Sequence, residues 1–342
     1  MRTITPFVIP FFIPHQGCPH HCIFCNQQPI TGFTAADSSL TGQDVQAGIT
    51  TWLSRAGSPE RQVQVAFYGG SFTGLDRQRQ KELLGAVQPF IKNEKVNCIR
   101  LSTRPDYIDA EIVTFLQQYH VRIVELGVQS LDPDVLLASR RGHTVAQVKE
   151  AFTCLRRAGL TIGAQLMIGL PEETSKGILN GARLLAAMQP DFIRIYPTLV
   201  IRGSGLARLY RQGLYHPLTM NRAVALCARI MPIFAKKNIR VVRVGLQPSL
   251  SLEKEVLAGP YHPAFGELVQ SRMLFNKARS LLFLVRQEKE MELSVASADQ
   301  SVFRGKKNKN MNRLAGLGLL DKVTVRFDPD QPRQTLFLRE KR

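Results

Sequence analysis

The sequence predicts an α/β fold, a partial (β/α)6-type TIM-like barrel followed by a small α+β C-terminal domain. Over the first part of the chain, apolar runs of strand length alternate with stretches of helical periodicity. The runs are nearly continuous in apolar residues, which is typical of strands buried on both faces. Repeated β-α units indicate a parallel sheet with right-handed crossovers. Six or seven units indicate an open or closed barrel related to the (β/α)8 form.

The predicted barrel domain covers residues 1–247. Within it, predicted strands alternate with predicted helices and loops. We expect strands over residues 4–13, 63–69, 96–102, 122–129, 161–169 and 192–200, with a seventh candidate over 239–244. Apolar residues recur at helical spacing between them. This spacing predicts helices over residues 76–91, 109–119, 145–158, 175–188 and 219–237.

The composition changes after residue 247. Gly259, Pro260 and Pro263 lie within residues 248–266, which predicts a linker. Beyond it we expect a basic C-terminal domain over residues 267–342. Its predicted elements are helices over 267–286 and 311–317 and strands over 291–297, 323–327 and 335–338.

The chain is strongly basic, with 45 Lys and Arg against 27 Asp and Glu and a formal net charge of +18. This excess favours a polyanionic partner, with nucleic acid as the first candidate; a general solubility charge is the alternative. No apolar run reaches the length of about 20 residues that a membrane span needs. The run over residues 7–14 is short and contains Pro10, so it is a poor signal peptide. We therefore expect a cytoplasmic protein without a membrane partner.

The six cysteines form two groups. Disulfides are rare in a reducing cytosol, so we expect free thiols. Cys98, Cys154 and Cys227 are isolated, and we expect them to pack in the core, because free cysteine is among the most buried residues. The other three lie close together, directly after the first predicted strand.

Cys18, Cys22 and Cys25 form a C-x3-C-x2-C pattern, and thiolates on so short a loop can reach one metal centre. Structural zinc takes four protein ligands, and His20 or His21 could supply the fourth. A [4Fe–4S] cluster usually takes four cysteines, so three leave one iron open, as a reactive cluster requires. The pattern favours the cluster over zinc and over coincidence.

Polar or small residues follow one predicted strand after another. In a β-α barrel the functional side chains gather at the carboxyl ends of the strands. Polar groups at buried strand ends cost free energy unless they are paired or used. We therefore expect a ligand-lined mouth rather than a series of unrelated loop contacts. Its candidate residues include Gly69, Gly70, Ser71, Ser102, Gln129 and Gln165.

The cysteine pattern, with the aromatic Phe24 directly before the third cysteine, resembles the radical SAM superfamily. In that superfamily the open iron binds the amino and carboxylate groups of S-adenosylmethionine (SAM). One electron from the reduced cluster breaks a C–S bond, and the 5′-deoxyadenosyl radical that results abstracts a hydrogen atom from the substrate. The resemblance implies a [4Fe–4S] cluster on the three cysteines, SAM, and an electron donor such as flavodoxin or ferredoxin. It places Phe24 near the adenine, with packing of the loop as the alternative.

Later motifs resemble the radical SAM half of the Elongator catalytic subunit and, more distantly, oxygen-independent coproporphyrinogen oxidase. The matching stretches are 67–74 (FYGGSFTG), 102–108 (STRPDYI), 125–130 (ELGVQS), 141–144 (RGHT), 167–171 (MIGLP) and 195–205 (IYPTLVIRGSG). The likeness implies SAM contacts at Gly69, Gly70 and Ser71 for the methionine portion, and at Ser102, Gln129, Arg141 and Gln165 for ribose hydroxyls and carboxylate. Arg141 suits the carboxylate, because a guanidinium binds both oxygens; a helix-surface charge is the alternative. No catalytic residue is assigned beyond the cluster ligands.

Two features depart from the Elongator subunit. The spacing before the second cysteine is shorter here. The stretch beyond the predicted barrel is too short for the acetyltransferase domain of that subunit. The resemblance therefore does not carry over the whole carboxymethylation of tRNA through acetyl-CoA.

The densest cluster of positive charge lies within residues 304–313. Lysine and arginine there can pair with phosphates, and a solvated face is the alternative. No stripe of aromatic residues, of the kind that stacks bases, accompanies them. The candidate nucleic-acid contacts are Arg304, Lys306, Lys307, Lys309 and Arg313.

These observations support three functional hypotheses. The leading one is a radical SAM enzyme that acts on tRNA or another RNA. The second is a radical SAM enzyme that acts on a small molecule or a tetrapyrrole. The third is a non-catalytic RNA-binding protein whose cysteine loop is a structural metal site.

Overall fold

The computed structural model of the protein describes residues 6–13, 17–18, 22–26, 40–55, 61–284 and 289–341. The chain divides into two compact units. The first contains Met1–Thr219 and Ile230–Tyr261, and the second contains Met220–Arg229 and His262–Arg342. Within the described residues, no helix has the length and apolar character that crossing a membrane requires.

Seven parallel strands form the sheet of the first unit. The strands of this unit are β1 (Phe7–Ile13), β2 (Val63–Gly69), β3 (Cys98–Thr103), β4 (Val121–Gln129), β5 (Thr161–Ile168), β6 (Phe192–Pro197), the two-residue β7 (Val200–Ile201) and β8 (Arg240–Val244). The order in the sheet is β1-β2-β3-β4-β5-β6-β8. The sheet is curled into a half-barrel, so the predicted fold class is confirmed and the seventh candidate strand belongs to it.

Helices follow most of the strands. They are α1 (Gly42–Ser54), α2 (Arg77–Lys92), α3 (Ala110–Gln118), α4 (Pro133–Ala138), α5 (Val145–Arg157), α6 (Ser175–Ala187), α7 (Gly205–Arg211), α8 (Met220–Ala235) and α9 (Leu250–Glu255). Side chains cap several helix starts: Thr41, Asp76 and Thr144 each accept a hydrogen bond from a backbone N–H of the first turn. A cap of this kind stabilises a helix by about 1 kcal/mol.

The two faces of the sheet differ in polarity because successive side chains of a strand point to opposite sides. Phe67, Leu101 and Val124 are register partners on β2, β3 and β4, and all three are fully buried. Next to this row, Ser102 of β3 is the register partner of Glu125 of β4. One face therefore supplies the apolar core, and the other carries polar side chains.

The segment predicted as a linker, residues 248–266, contains regular structure. Ser249 caps α9, and strand β9 (Val256–Ala258) pairs antiparallel with β7. The predicted strand over 192–200 is divided, because β6 ends at Pro197 and β7 pairs with β9 instead of the main sheet. The apolar run of β9 thus has a strand to pair with, which its glycine- and proline-rich surroundings did not suggest. The predicted domain boundaries stay a prediction.

The second unit is a small α+β structure, as predicted. Its elements include α10 (Phe265–Phe283), β10 (Met291–Ala296), α11 (Gln300–Arg304), α12 (Lys309–Gly316), β11 (Val323–Asp328) and β12 (Leu336–Glu340). β10 is the central strand, parallel to β11 and antiparallel to β12. Leu274 and Phe275 of α10 pack with Leu293 and Val295 of β10 and with Phe303 of α11 to form the core of this unit.

Candidate active site

A cavity of about 610 Å³ lies in the first unit, and side chains from all seven strands of its sheet line it. Every sequence-predicted ligand of the cluster and of SAM lies in its wall. These residues are Cys18, Cys22, Phe24, Cys25, Gly69, Gly70, Ser71, Ser102, Gln129, Arg141 and Gln165. Arg141 is buried, so a helix-surface charge is the wrong interpretation of that residue. The individual roles of these residues stay predictions.

A close contact between two backbone segments, at Gly17 and at residues 71–74, positions Cys18. Gly17 has a φ of +67°, and a Cβ atom there would overlap the carbonyl oxygen of Ser71. A Cβ atom at Gly74 would overlap the carbonyl oxygen of Gly17. The loop that carries Cys18 therefore lies directly on the loop that follows β2, and both glycines are needed for this approach.

The loop after β2 is tied to two neighbouring strands. The N–H of Gly70 donates to the carbonyl of Ile13, the last residue of β1, at 3.0 Å. The hydroxyl of Ser71 lies 2.9 Å from that of Thr103, the last residue of β3, and it accepts a hydrogen bond from the N–H of Arg104 at 3.3 Å. These bonds fix the paired glycines at the rim of the cavity.

The second part of the cysteine loop is held by backbone hydrogen bonds. Ile23 donates to the carbonyl of Ser139 at 3.2 Å, and its own carbonyl accepts from Leu206 at 2.6 Å. Between the cysteines, the N–H of Cys25 donates to the carbonyl of Cys22 at 3.0 Å. The loop is thus attached to the residues after α4 and to the start of α7.

Arg141 joins β4 to the cysteine loop. Its Nη2 donates to the carbonyl of Gly127 at 2.6 Å, and its Nη1 lies 3.4 Å from Cys22 Sγ as a donor. A Cβ atom at Gly127 would lie 2.7 Å from Nη2, so the absence of a side chain there leaves room for the guanidinium. Burial raises the pKa of the Cys18 thiol, whereas the cations Arg141 and Arg104 oppose that rise.

Three buried polar atoms at the cavity have no hydrogen-bond partner within the part of the chain that the structure describes. They are Arg104 Nη1, Gln129 Oε1 and Arg141 Nε. Gln129 also has a φ of +66°, an uncommon conformation for a residue other than glycine. Buried polar atoms are usually paired, so these atoms indicate a polar ligand in the cavity.

The cysteines supply a donor set of three sulfurs. Thiolates are soft ligands that favour iron–sulfur clusters and zinc. Among the described residues, no group of three or more His, Cys, Asp or Glu side chains is close enough to hold a metal ion. The three thiols thus line one cavity without being gathered around one point. His20 and His21, the candidate fourth ligands of a zinc site, lie outside the described residues. The donor chemistry and the unpaired polar atoms together fit a cluster with an organic ligand.

A buried ion-pair network, which sequence analysis missed, lies on the inner face of the sheet. Glu125 Oε1 accepts from Arg100 Nη2 at 2.5 Å and from the Tyr68 hydroxyl at 3.2 Å. Glu125 Oε2 accepts from Arg194 Nε at 2.7 Å. Glu125 and Arg194 line the cavity, as does Arg243. Single charged residues inside otherwise apolar strand runs were the signal that could have identified these positions.

The five candidate nucleic-acid contacts lie in and around α11 and α12 of the second unit, and all of them are exposed. Arg304 lies over the ring of Phe327 at 5.0 Å, and Arg313 lies over the ring of Phe275 at 4.2 Å. Within the described residues, none of the five forms an ion pair with a carboxylate. Their positive charges are therefore available to an external anion.

Comparison with known proteins places the chain among enzymes. The family model described as the radical SAM superfamily matches residues 12–185, and that of a radical SAM C-terminal domain matches residues 190–274. Elongator complex protein 3 of Saccharomyces cerevisiae is 29% identical in an alignment that covers 76% of this chain and 53% of that protein. A tRNA uridine(34) acetyltransferase of Methanocaldococcus jannaschii is 27% identical in an alignment that covers 69% of this chain and 50% of that protein. The chain spans about half the length of these curated relatives.

Two solved structures show the same fold. The archaeal Elp3 of Methanocaldococcus infernus matches with a TM-score of 0.64 and 22% identity, over 80% of this chain and 64% of that one. Coproporphyrinogen III oxidase of Escherichia coli matches with a TM-score of 0.50 and 16% identity, over 68% of this chain and 53% of that one. At these identities the likeness concerns the fold alone.

Proposed function

The chain belongs to the radical SAM superfamily, and on that premise we propose that it is an enzyme that modifies RNA, with tRNA as the expected substrate. One observation carries the radical chemistry of this proposal. Residues from six separate stretches of the sequence, each assigned to the cluster or to SAM beforehand, line one cavity. Buried polar atoms without partners among the described residues surround that cavity.

Cys18, Cys22 and Cys25 would hold a [4Fe–4S] cluster, and the cavity beside them would hold SAM. When bound, these groups supply a carbon-centred radical that can abstract a hydrogen atom from a substrate. Arg141 would position the SAM carboxylate, because its buried Nε has no partner among the described residues. Gly69 and Gly70 would let the methionine portion approach the backbone closely.

Charge and the relatives support RNA as the substrate. The net charge is +18, and five exposed cations of the second unit have no carboxylate partner within the described residues. Burial and the neighbouring Arg313 and Arg279 lower the pKa of Arg272. The surface around α10 and α12 is therefore rich in cations. One of the relatives is named for its action on uridine 34 of tRNA. The same basic surface would suit an acidic electron donor such as flavodoxin or ferredoxin, in the cytoplasm.

The chemistry is tested by anaerobic reconstitution of the full chain with iron and sulfide, followed by reduction and addition of SAM. We expect 5′-deoxyadenosine from the wild type and from Cys154→Ala, which changes a cysteine outside the cavity. We expect neither iron retention nor 5′-deoxyadenosine from the triple variant with alanine at 18, 22 and 25. One zinc per chain without 5′-deoxyadenosine would contradict the proposal and favour a structural metal site.

The substrate is tested by the salt dependence of tRNA binding. Replacing Lys306, Lys307 and Lys309 by glutamine should weaken binding and lower the slope of log affinity against log salt by about 2–3, at about 0.7–0.9 per phosphate contact. The control carries the same charge change at three exposed lysines of the first unit, Lys81, Lys92 and Lys95. Equal losses in both variants would argue against a specific RNA surface. Modified nucleosides in total tRNA, compared with and without the protein, would then identify the product.

A further inference from the structure

We propose that Arg194 and Arg243, at the inner face of β6 and β8, form a subsite for an anionic group of the molecule on which the radical acts. The group is a carboxylate or a phosphate. This inference rests on the proposed function, since it assigns the anion to the substrate of the radical reaction. It names a part of the cavity that the cluster and SAM assignments leave unused.

Strand register brings the donors of this subsite together. Arg194 of β6 is the register partner of Gln165 of β5 on one side and of Arg243 of β8 on the other. All three residues line the cavity. Register partners on adjacent strands lie about 5 Å apart, so the two guanidinium groups meet the same part of the cavity, next to the predicted SAM contact Gln165.

The charges at this position are not balanced. Glu125 is the acidic residue of the network, and Arg100, Arg194 and Tyr68 already occupy both of its oxygens. Arg243 lines the cavity, and its side chain has no ion pair or hydrogen bond with any residue that the structure describes. Three arginines therefore face one glutamate, which leaves an excess of positive charge next to the cavity.

The tyrosines at this position add donors rather than negative charge. Burial raises the pKa of Tyr196, although Arg194 opposes the rise. Burial and the nearby Glu125 raise the pKa of Tyr68 as well. Both hydroxyls therefore keep their protons at neutral pH, and Tyr196 lines the cavity with Arg194.

A purely structural role does not explain this arrangement. The interior of a β-α barrel is usually filled by branched apolar side chains, and buried charge costs free energy unless it is paired. Arg194 is needed to pair with Glu125, whereas Arg243, which is partly buried, neutralises nothing among the described residues. Guanidinium groups bind carboxylate and phosphate oxygens with two parallel hydrogen bonds. An anionic ligand is thus the partner whose chemistry fits Arg243.

The subsite and the predicted cofactor positions come from different parts of the sheet. The cysteines, the paired glycines and Arg141 surround the ends of β1, β2 and β4. Arg194 and Arg243 come from β6 and β8, on the far side of β5, which carries the predicted SAM contact Gln165. A substrate anchored by the two arginines would therefore lie beside the predicted SAM position in the same cavity.

The test is calorimetric titration of inorganic phosphate and of malonate into the reconstituted full chain with SAM, at fixed ionic strength in chloride. We expect saturable binding, and Arg243→Gln should weaken it at least about tenfold, as expected for a lost charge-assisted hydrogen bond. Arg243→Lys, which keeps a cation, should retain part of the affinity. The matched control is Arg240→Gln, on the same strand but exposed and outside the cavity wall; its affinity should equal that of the wild type. No saturable binding, or equal affinities in all variants, would overturn the subsite.

Binding of a short RNA by the same variants identifies the source of the anion. Weaker RNA binding by Arg243→Gln would assign the group to an RNA phosphate, and unchanged RNA binding would assign it to a small molecule; either supports the subsite. Formation of 5′-deoxyadenosine by the wild type is measured in the same samples. SAM cleavage without anion binding would refute the subsite alone. Anion binding that depends on Arg243 without SAM cleavage would refute the proposed function instead.

Discussion

The substitution Glu125→Gln should destabilise the first unit strongly. Glu125 is 1% exposed, and its carboxylate is the acceptor for two arginines and a tyrosine. Glutamine keeps the size of the side chain and removes its charge. Arg100, itself buried, and Arg194 then keep their charges without a carboxylate.

The expected loss follows from the burial of this network. Removing one partner of a buried ion pair costs about 3–5 kcal/mol, because the remaining charge stays in a medium of low polarity. An exposed pair contributes about 0–1 kcal/mol. The chain offers such a pair in Arg77 and Glu111, which lie 2.9 Å apart with Glu111 86% exposed. Glu111→Gln is therefore a control with the same chemical change.

Tryptophan fluorescence during urea unfolding measures the loss in the first unit. The single tryptophan, Trp52, lies in α1 and packs edge-to-face on Phe7 of β1, so its signal reports on this unit. We expect Glu125→Gln to lower the free energy of unfolding by at least about 3 kcal/mol and Glu111→Gln to lower it by less than about 1 kcal/mol. Similar losses in the two variants would refute the view that Glu125 is part of a buried charge network.

Two further predictions concern the loops that follow β2 and β5. In Gly74→Ala the new methyl group overlaps the carbonyl of Gly17, so the reconstituted variant should retain less iron than the wild type. Gly85→Ala, which adds a methyl group to open space in α2, should retain iron fully; equal retention would contradict the role of the close contact. Burial, and to a smaller extent Asp132, raise the pKa of Glu173 to about 8, so its native carboxyl binds a proton more tightly than in the unfolded chain. Its contribution to stability is therefore full below pH 4.5 and lost as the pH rises to about 8. Unfolding from pH 5 to 8 should show the wild type losing stability relative to Glu173→Gln, and a constant difference would refute the raised pKa.

Local patterns were sufficient to predict much of the barrel. The strand β2 has its predicted bounds, and β4 and β5 differ from theirs by one residue each. Their apolar runs are continuous because both faces of a parallel sheet are covered. The helix α1 was missed, although Thr41 and Asp44 form the capping box that marks its start. Threonine and isoleucine in α1 weaken a helical pattern by their low helix propensity.

The composition of the site was predictable, but its internal contacts were not. The pattern of cysteines and the motifs at the strand ends identified the cavity wall. The contact between Gly17 and Gly74 and the ion pairs of Glu125 join residues far apart in sequence. Such pairs depend on how strands and loops are brought together, which no local pattern contains. The partner strand of β9 was unpredictable for the same reason.

Electron paramagnetic resonance of the reduced, reconstituted chain tests most directly whether the three thiols hold a cluster with an open iron. We expect the signal of a [4Fe–4S] cluster that changes when SAM is added, because SAM would bind the iron that lacks a cysteine. Arg141→Lys should weaken this response to SAM while the cluster signal remains. A cluster signal that SAM leaves unchanged, or a protein that binds only zinc, would contradict the assignment.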